Sequence, residues 1–277
     1  MPKLRWYERL NRKLVYTGLR RMTQSQLDTT FIDISEQFFQ NSGYRRGLPT
    51  LIGSLSNLKS QGFLPAHIFD IGANRGQWTR EAASIFPQAQ FVLVEANAKH
   101  AEILNQTVNA LGGRASFEIR LLGPEIREEA TFYTVDVDNQ IWQAGSSVLP
   151  ELTAYPKEAV TLPMDTLDNL LNSYPYLPPV LLKLDVQGYE LEVLKGGREA
   201  LHASEVVILE TPILPYNQGA PLIDGVIAFM KSSGFAVYDI CGQRRRETDA
   251  VLFHVDLIFT KESSALRQPK RFWSGEP

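Results

Sequence analysis

Short apolar runs alternate with helix-compatible segments along most of the chain. Four of the apolar runs end in an acidic residue, at 67–70, 91–95, 180–185 and 206–210. The intervening segments suit helices, and Pro87 and Gly112 mark the ends of two of them. Regular alternation of strands and helices is typical of an α/β fold with a doubly wound parallel sheet. We therefore predict this fold class, with the four acids at one edge of the sheet.

Four further features extend this pattern. The stretch from Thr50 to Lys59 predicts a helix ahead of the first strand. Glu128 to Val137 suggests an extra strand outside the basic alternation, and the run from Phe235 to Ile240 with that from Ala250 to Phe259 predicts a closing hairpin. The third strand is expected over Ala115 to Leu122.

The first strand leads into a glycine-containing loop, Asp70-Ile71-Gly72-Ala73-Asn74-Arg75-Gly76. Such a loop lets the backbone approach a ligand closely before it turns into a helix. A dinucleotide pyrophosphate would be repelled by Asp70, and its usual pattern has three glycines. S-adenosylmethionine carries an ammonium, a sulfonium and a ribose, which suit this acid and Glu95 at the end of the next strand. The alternative is that both acids simply cap helices.

The strand from Val180 to Val186 places charged side chains within an apolar run. Alternation puts Leu182 and Leu184 on one face and Lys183 and Asp185 on the other. A buried lysine and aspartate are costly unless they are paired. If the neighbouring strands flank this one, Lys183 becomes the countercharge for acids at three strand ends, Asp70, Asp185 and Glu210. A purely structural ion pair is the alternative to a functional cluster.

Acid–base chemistry has three candidates in the sequence. Asp185 is the first candidate for a base or an acceptor-orienting group, and Glu210 is expected near the acceptor. His254 alternates with Asp256 on one face of the last strand, so it is the second candidate base, although a packing histidine is the alternative. No metal site is evident, but the pair Asp185 and Glu210 has the chemistry to hold one divalent ion.

Four segments together resemble the FkbM family of S-adenosylmethionine-dependent methyltransferases: residues 70–76, Val94-Glu95-Ala96-Asn97, Thr166-Leu167-Asp168 and residues 182–190. The resemblance covers residues 60 to 260. It implies a Rossmann-like class I methyltransferase fold, with a seven-stranded, mostly parallel sheet whose last strand is antiparallel. It also implies O-methylation of a hydroxyl on a sugar, glycan, glycolipid or natural product. One departure is Leu122-Gly123-Pro124-Glu125, where the family often has a small residue followed by Ser-Asp.

The resemblance also assigns roles to residues of this chain. It implies that Asp185 sits beside the methyl group. The residues expected to hold the cofactor are Asp70, Gly72, Ala73, Asn74, Gly76, Glu95 and Ala96. The domains expected are a helical N-terminal extension or cap over 1–60, the methyltransferase domain over 61–262 and a flexible tail over 263–277.

Composition limits the partners. A net charge of −3 over 277 residues and a pI near 5.9 argue against nucleic acid as the main partner. A single cysteine, Cys241, excludes an intramolecular disulfide and a cysteine-based metal site. No run is long enough to span a bilayer, and no signal peptide is evident. We therefore expect a cytoplasmic protein with a small-molecule or glycan acceptor.

The N-terminal segment is the exception to this acidic balance. Apolar residues are interleaved with a set of basic ones, Lys3, Arg5, Arg9, Arg12, Lys13, Arg20 and Arg21. This pattern suits an amphipathic helix on an anionic membrane surface, at the inner face of the membrane, or a solvated helix packed on the domain. Two alternative functions follow from these observations: a nicotinamide-dependent oxidoreductase, and a non-catalytic binding subunit attached to a membrane through this segment.

Overall fold

A seven-stranded sheet covered by helices forms the centre of the protein. The structure is a computed structural model, and it describes residues 50–135, 145–153 and 155–268. The basic N-terminal segment, residues 136–144 and the end of the predicted tail therefore lie outside the described residues.

The helices and strands follow the predicted alternation. The helices are α1 (Leu51–Ser60), α2 (Gln77–Ile85), α3 (Ala101–Ala110), α4 (Leu167–Asn172), α5 (Glu190–Lys195), α6 (Arg198–Ala203) and α7 (Ile223–Ser232). The strands are β1 (His67–Ile71), β2 (Gln90–Glu95), β3 (Ala115–Ile119), β4 (Leu121–Gly123), β5 (Arg127–Val135), β6 (Lys157–Thr166), β7 (Val180–Leu184), β8 (Ser204–Pro212), β9 (Phe235–Arg245) and β10 (Leu252–Lys261). The predicted helix before β1 and the predicted closing hairpin are both present.

The order of the main sheet is β3-β2-β1-β7-β8-β10-β9. β1 pairs in parallel with β2 and β7, and β7 pairs in parallel with β8. β10, the last strand in the chain, lies between β8 and β9 and is antiparallel to both. The predicted mostly parallel sheet with an antiparallel last strand is thus confirmed. Since β7 lies between β1 and β8, the loops that follow these strands meet at one edge.

Apolar residues cover both faces of this sheet. Ile68 and Leu181 pack with α1 and α2 on one face, through side chains such as Leu55 and Ala82. Phe69 and Leu182 pack on the opposite face with residues of α4 to α7. Strand alternation therefore directs Asp70 and Lys183, two residues on from Ile68 and Leu181, to the face that α2 covers.

A second, three-stranded sheet was not predicted. Its order is β4-β6-β5, with β4 parallel and β5 antiparallel to β6. The predicted third strand is interrupted near Arg120, so that β3 joins the main sheet and β4 joins the small one. Pro163 lies inside β6, and Met164 is the one buried residue of the strand, so β6 has no clear hydrophobic pattern in the sequence. Phe132 and Met164 form a small apolar cluster with Leu121.

The chain beyond β10 continues as a short 3₁₀ turn over Ala265–Arg267. Arg267 donates a hydrogen bond of 3.0 Å to the carbonyl of Val237. Within the part of the chain that the structure describes, no helix combines the length and the apolar character needed to cross a membrane.

Candidate active site

The loop between β1 and α2 is held in an unusual backbone conformation. Gly72, Asn74 and Gly76 have φ values of 77°, 49° and 70°. A Cβ atom on Gly72 would lie 1.9 Å from the carbonyl oxygen of Asp185, and one on Gly76 would lie 2.9 Å from Cγ2 of Thr107. Glycine is therefore required at Gly72 both for its backbone angle and for its close approach to the loop after β7.

Asp70 and Lys183 form a buried ion pair beneath this loop. Asp70 is fully buried, and its Oδ1 lies 3.0 Å from Nζ of Lys183 while Oδ2 accepts a hydrogen bond of 2.6 Å from Thr79 Oγ1. Lys183 Nζ also donates to the carbonyl of Gly72 at 3.1 Å. Burial alone would lower the pKa of Lys183, but Asp70 and Asp185 raise it above its usual value. The lysine is therefore charged, and Asp70 stabilises the loop through Lys183, which binds the carbonyl of Gly72.

Glu95 organises the next loop through backbone contacts. Its Oε2 accepts a hydrogen bond of 2.8 Å from the Asn74 amide, and its Oε1 accepts one of 2.8 Å from the Asn97 amide. Burial raises the pKa of Glu95, and these two backbone bonds oppose the increase. Because each carboxylate oxygen has two lone pairs, each retains one for a further donor.

A cleft lies between the loops after β1, β2 and β7 and the small sheet. Four predicted cofactor residues line it, namely Gly72, Asn74, Glu95 and Ala96. The other three predicted cofactor residues, Asp70, Ala73 and Gly76, do not line the cleft. Asp70 contacts Lys183 and Thr79 instead, and Ala73 and Gly76 are buried. The remaining wall includes Arg120, Phe132, Ser146, Val148 and Tyr189.

A second cavity, of about 680 Å³, lies beside this cleft. It is lined by residues of the loop after β8 and of the β9–β10 hairpin, together with the predicted catalytic residues Asp185, Glu210 and His254. Asp185 is the single described residue that lines both spaces. The structure thus brings the three predicted catalytic residues together at the junction.

A glutamine links these acids. Gln187 Nε2 donates hydrogen bonds of 2.8 Å to Asp185 Oδ1 and 2.7 Å to Glu210 Oε2. On the other side of Glu210, Oε1 lies 3.1 Å from Nδ1 of His254. An N–H donor thus occupies the position between Asp185 and Glu210 that a divalent ion held by the two would need. Among the described residues, no group of three or more His, Cys, Asp or Glu side chains is placed to hold a metal ion.

The protonation states in this network follow from burial and charge. Burial raises the pKa of Glu210 well above its usual value, and the charges of Asp185 and Glu190 raise it further. Burial opposes ionisation of Asp185 as well, but Lys183 holds the pKa of Asp185 below its usual range. Burial and the charge of Arg244 lower the pKa of His254 to about 4. Asp185 is therefore the stronger acid of the two carboxyls, Glu210 holds its proton more tightly, and His254 is neutral at neutral pH.

Two residues that organise the loop after β7 were not predicted as site residues. Gln187 has a φ of 56°, and nothing in the local sequence marks it for that conformation. Glu190 is buried, and its Oε1 accepts hydrogen bonds from the amides of Val186 at 2.8 Å and Gly188 at 3.2 Å. Burial raises the pKa of Glu190 to about 7. An acid just after a glycine and at the start of a helix is the sequence feature that marks Glu190.

Two serines from the loop before β6 reach the same region. Ser146 and Ser147 both line the cleft and not the larger cavity. Ser147 Oγ lies 3.0 Å from the carbonyl oxygens of both Val186 and Gln187, so its proton is shared between them. Trp142 and Gln143, earlier in the same loop, lie outside the described residues.

Asp256 also belongs to this region. On β10 it lies opposite Glu210 of β8 and Gly242 of β9. Burial and the charge of Asp185 raise the pKa of Asp256 to about 6. A Cβ atom on Gly242 would lie 1.9 Å from Asp256 Oδ2, so a side chain there would displace this carboxyl.

Several solved structures resemble the chain at low sequence identity. A methyltransferase FkbM from Methylobacillus flagellatus KT is 13% identical over 69% of this chain and 43% of its own, with a TM-score of 0.43. Magnesium protoporphyrin IX methyltransferase from Synechocystis PCC 6803, solved with bound S-adenosylmethionine, is 13% identical over 88% and 86% of the two chains, with a TM-score of 0.42. An O-methyltransferase family protein from Burkholderia thailandensis is 12% identical over 86% and 60%, with a TM-score of 0.41.

The family itself is established by a sequence match. A search of curated protein sequences found no significant match. The methyltransferase FkbM domain, by contrast, matches residues 70–237, which is more than half of the chain. The matched range begins at Asp70, at the end of β1, and contains Glu95, Asp185 and Glu210. The chain therefore belongs to the FkbM methyltransferase family.

Proposed function

We propose that this protein transfers a methyl group from S-adenosylmethionine to a hydroxyl of a sugar, glycan, glycolipid or natural product. The observation that carries this proposal is the position of Asp185, which lines both the cleft and the larger cavity beside it. A carboxylate at such a junction contacts the cofactor side and the acceptor side at the same time. That is the place where a hydroxyl must lose its proton.

The residues of the cleft fit S-adenosylmethionine. Gly72 lines the cleft with its backbone and packs against the loop after β7, where a Cβ atom would meet the carbonyl oxygen of Asp185. Glu95 retains lone pairs on both oxygens, which suit the two hydroxyls of a ribose. When bound, this cofactor supplies an electrophilic methyl group on a positively charged sulfur. The ionised Asp185 is the acid in the cleft wall that complements such a charge.

Asp185 then acts on the acceptor. Its carboxylate accepts a hydrogen bond from the acceptor hydroxyl and aligns the oxygen with the methyl carbon. During methyl transfer the hydroxyl proton would pass to a carboxylate oxygen of Asp185. Because Lys183 lowers the pKa of Asp185, this carboxylate is a weak base, and orientation is expected to contribute more than proton affinity.

Glu210 and His254 complete the acceptor side. Glu210 contacts Gln187 and His254, so it fixes the amide that orients Asp185. Neutral His254 remains the second candidate base, since it lines the acceptor cavity. Asp70 acts indirectly, because it holds the Lys183 that supports both Gly72 and Asp185.

The two alternative functions lack comparable support. The family match favours methyl transfer over hydride transfer to a nicotinamide cofactor. The geometry around Asp185 favours catalysis over a purely scaffolding role. Contact of the basic N-terminal segment with a membrane remains a proposal, tested by vesicle sedimentation of the full chain and of a chain without residues 1–21.

The test is an Asp185→Asn variant, with Glu192→Gln as a control, because Glu192 is half-buried, forms an ion pair with Lys195 and lines neither the cleft nor the larger cavity. We expect calorimetry to give the same S-adenosylmethionine affinity for the wild type and Glu192→Gln, and a lower affinity for Asp185→Asn, which loses the charge that complements the sulfonium. In an acceptor screen that detects S-adenosylhomocysteine, Asp185→Asn should lower the rate by about 100-fold or more, as expected for loss of an acid–base group. Failure of the wild type to bind S-adenosylmethionine would refute the proposal.

A further inference from the structure

Three consecutive arginines, Arg244, Arg245 and Arg246, line the acceptor cavity at the end of β9, next to the turn of the β9–β10 hairpin. Arg245 Nη1 donates to the carbonyl of Ala250 at 3.0 Å. Arg246 forms a two-pronged pair with Asp249, with distances of 3.0 and 2.5 Å. Arg244 differs from its two neighbours, because its side chain makes no hydrogen bond or ion pair with any residue that the structure describes.

Arg244 is also the arginine nearest to the acid network. It lies opposite His254 in the pairing of β9 with β10. Its charge contributes to the low pKa of His254 and opposes the high pKa of Asp256, so its guanidinium lies within electrostatic reach of both. A guanidinium that faces a cavity and has no partner among the described residues presents five N–H donors in a planar fork, which suits phosphate or carboxylate oxygens.

The described acidic side chains that line the cavity do not pair with Arg244, so its guanidinium can bind an anion. Burial raises the pKa of Glu210 well above its usual value, and Glu151 is buried and hydrogen bonded to Tyr216. Glu247 is exposed, on the turn beyond the arginines. Acids therefore occupy the inner end of the cavity and arginines its rim, an arrangement that favours an acceptor with a hydroxyl at one end and an anion at the other.

The wall between these ends is aromatic. Tyr216 and Phe253 lie with ring centroids 5.6 Å apart and an interplanar angle of 39°, and both line the cavity. Aromatic faces pack against the C–H surface of a sugar ring or against a flat ring system. The cavity volume of about 680 Å³ accommodates a molecule of that size together with a charged substituent.

We propose that Arg244 is a specificity-determining residue that binds an anionic group, a phosphate or a carboxylate, on the methyl acceptor. This inference rests on the proposed function, since it takes the larger cavity as the acceptor site. It narrows the acceptor class to acidic or phosphorylated hydroxyl compounds. The hydroxyl to be methylated then lies toward Asp185, and the anion lies toward the hairpin.

The experiment uses the full chain and three probes, D-glucose 6-phosphate, D-glucuronate and D-glucose. Calorimetric titrations are made in the presence of saturating S-adenosylhomocysteine, after binding of S-adenosylmethionine has been measured for each protein. The variants are Arg244→Gln and the matched control Arg246→Gln, which removes the same charge from the same hairpin but from a guanidinium already held by Asp249. Arg244→Lys tests whether a point charge suffices.

We expect at least one anionic probe to bind the wild type about 10- to 100-fold more tightly than D-glucose, as charge-assisted hydrogen bonds allow. Arg244→Gln should abolish this preference, and Arg246→Gln should retain it. The ratio of the two anionic probes distinguishes phosphate from carboxylate. Equal affinity for neutral and anionic probes, no binding of either anionic probe, or equal losses in the two glutamine variants would overturn the inference. Absence of S-adenosylmethionine binding to the wild type would instead overturn the proposed function.

Discussion

Substitution of Gly72 by alanine tests whether the cofactor loop and the loop after β7 are packed as one unit. The added Cβ would lie 1.9 Å from the carbonyl oxygen of Asp185, whereas ordinary contact begins at 3.4 Å. One of the two loops must therefore move by roughly 1.5 Å. Overpacking of this kind costs ~1–3 kcal/mol. The left-handed backbone, with φ at 77°, adds ~1–2 kcal/mol for any residue with a side chain.

Gly113 provides a matched control for this substitution. Its φ of 79° is almost the same, and a Cβ there would meet nothing within 4 Å. Gly113→Ala should therefore lose only the backbone contribution, ~1–2 kcal/mol, while Gly72→Ala should lose ~2–5 kcal/mol of the free energy of unfolding. Urea unfolding followed by circular dichroism measures both values.

Ligand binding gives a second, independent measurement. Displacement of the loop at Gly72 should lower the affinity for S-adenosylmethionine more than tenfold, and Gly113→Ala should leave it unchanged. If the two variants were equally destabilised and bound the cofactor equally well, the close packing of Gly72 against Asp185 would not be a feature of the protein in solution.

Two further predictions concern buried carboxyl groups. Because burial raises the folded-state pKa of Glu190 from 4.5 to about 7, the folded protein binds the proton more tightly than the unfolded chain. The free energy of unfolding should then fall by up to roughly 3 kcal/mol as the pH rises from 4.5 to above 7. Glu190→Gln should flatten this dependence in urea titrations at several pH values, and an unchanged slope would contradict the assignment. Thr79→Val should cost ~1.5–3 kcal/mol by removing the hydrogen bond to Asp70, whereas Thr79→Ser should retain most of the stability; equal losses in the two variants would show that the hydroxyl is not the cause.

Much of the sheet follows from the sequence, because apolar runs and strand-terminal acids specify both the strands and their shared edge. The positions of Asp185 and Glu210 beside each other follow once β7 is placed between β1 and β8. The position of Asp70 depends on register as well. Its side chain alternates with Ile71 toward the face that α2 covers, so it meets Lys183 and Thr79 rather than the cleft.

The missed parts depend on long-range contacts. The left-handed conformation of Gln187 is stabilised by neighbours 23 and 40 residues away, Glu210 and Ser147, which no local pattern reveals. β6 has weak strand character of its own, and it is defined by pairing with β4 and β5. The interruption of the third strand near Arg120 coincides with ion pairs from that arginine to Glu118 and Asp165.

The short segment Val186 to Gly188 is anchored from two sides. Glu190 accepts its amide hydrogens, and Ser147 donates to its carbonyl oxygens. The conformational entropy of this segment is therefore lost during folding rather than during ligand binding. An acceptor that docks against it meets a preorganised wall, so its binding free energy is not reduced by ordering these three residues. Any opening and closing needed for substrate exchange must consequently take place in other parts of the protein.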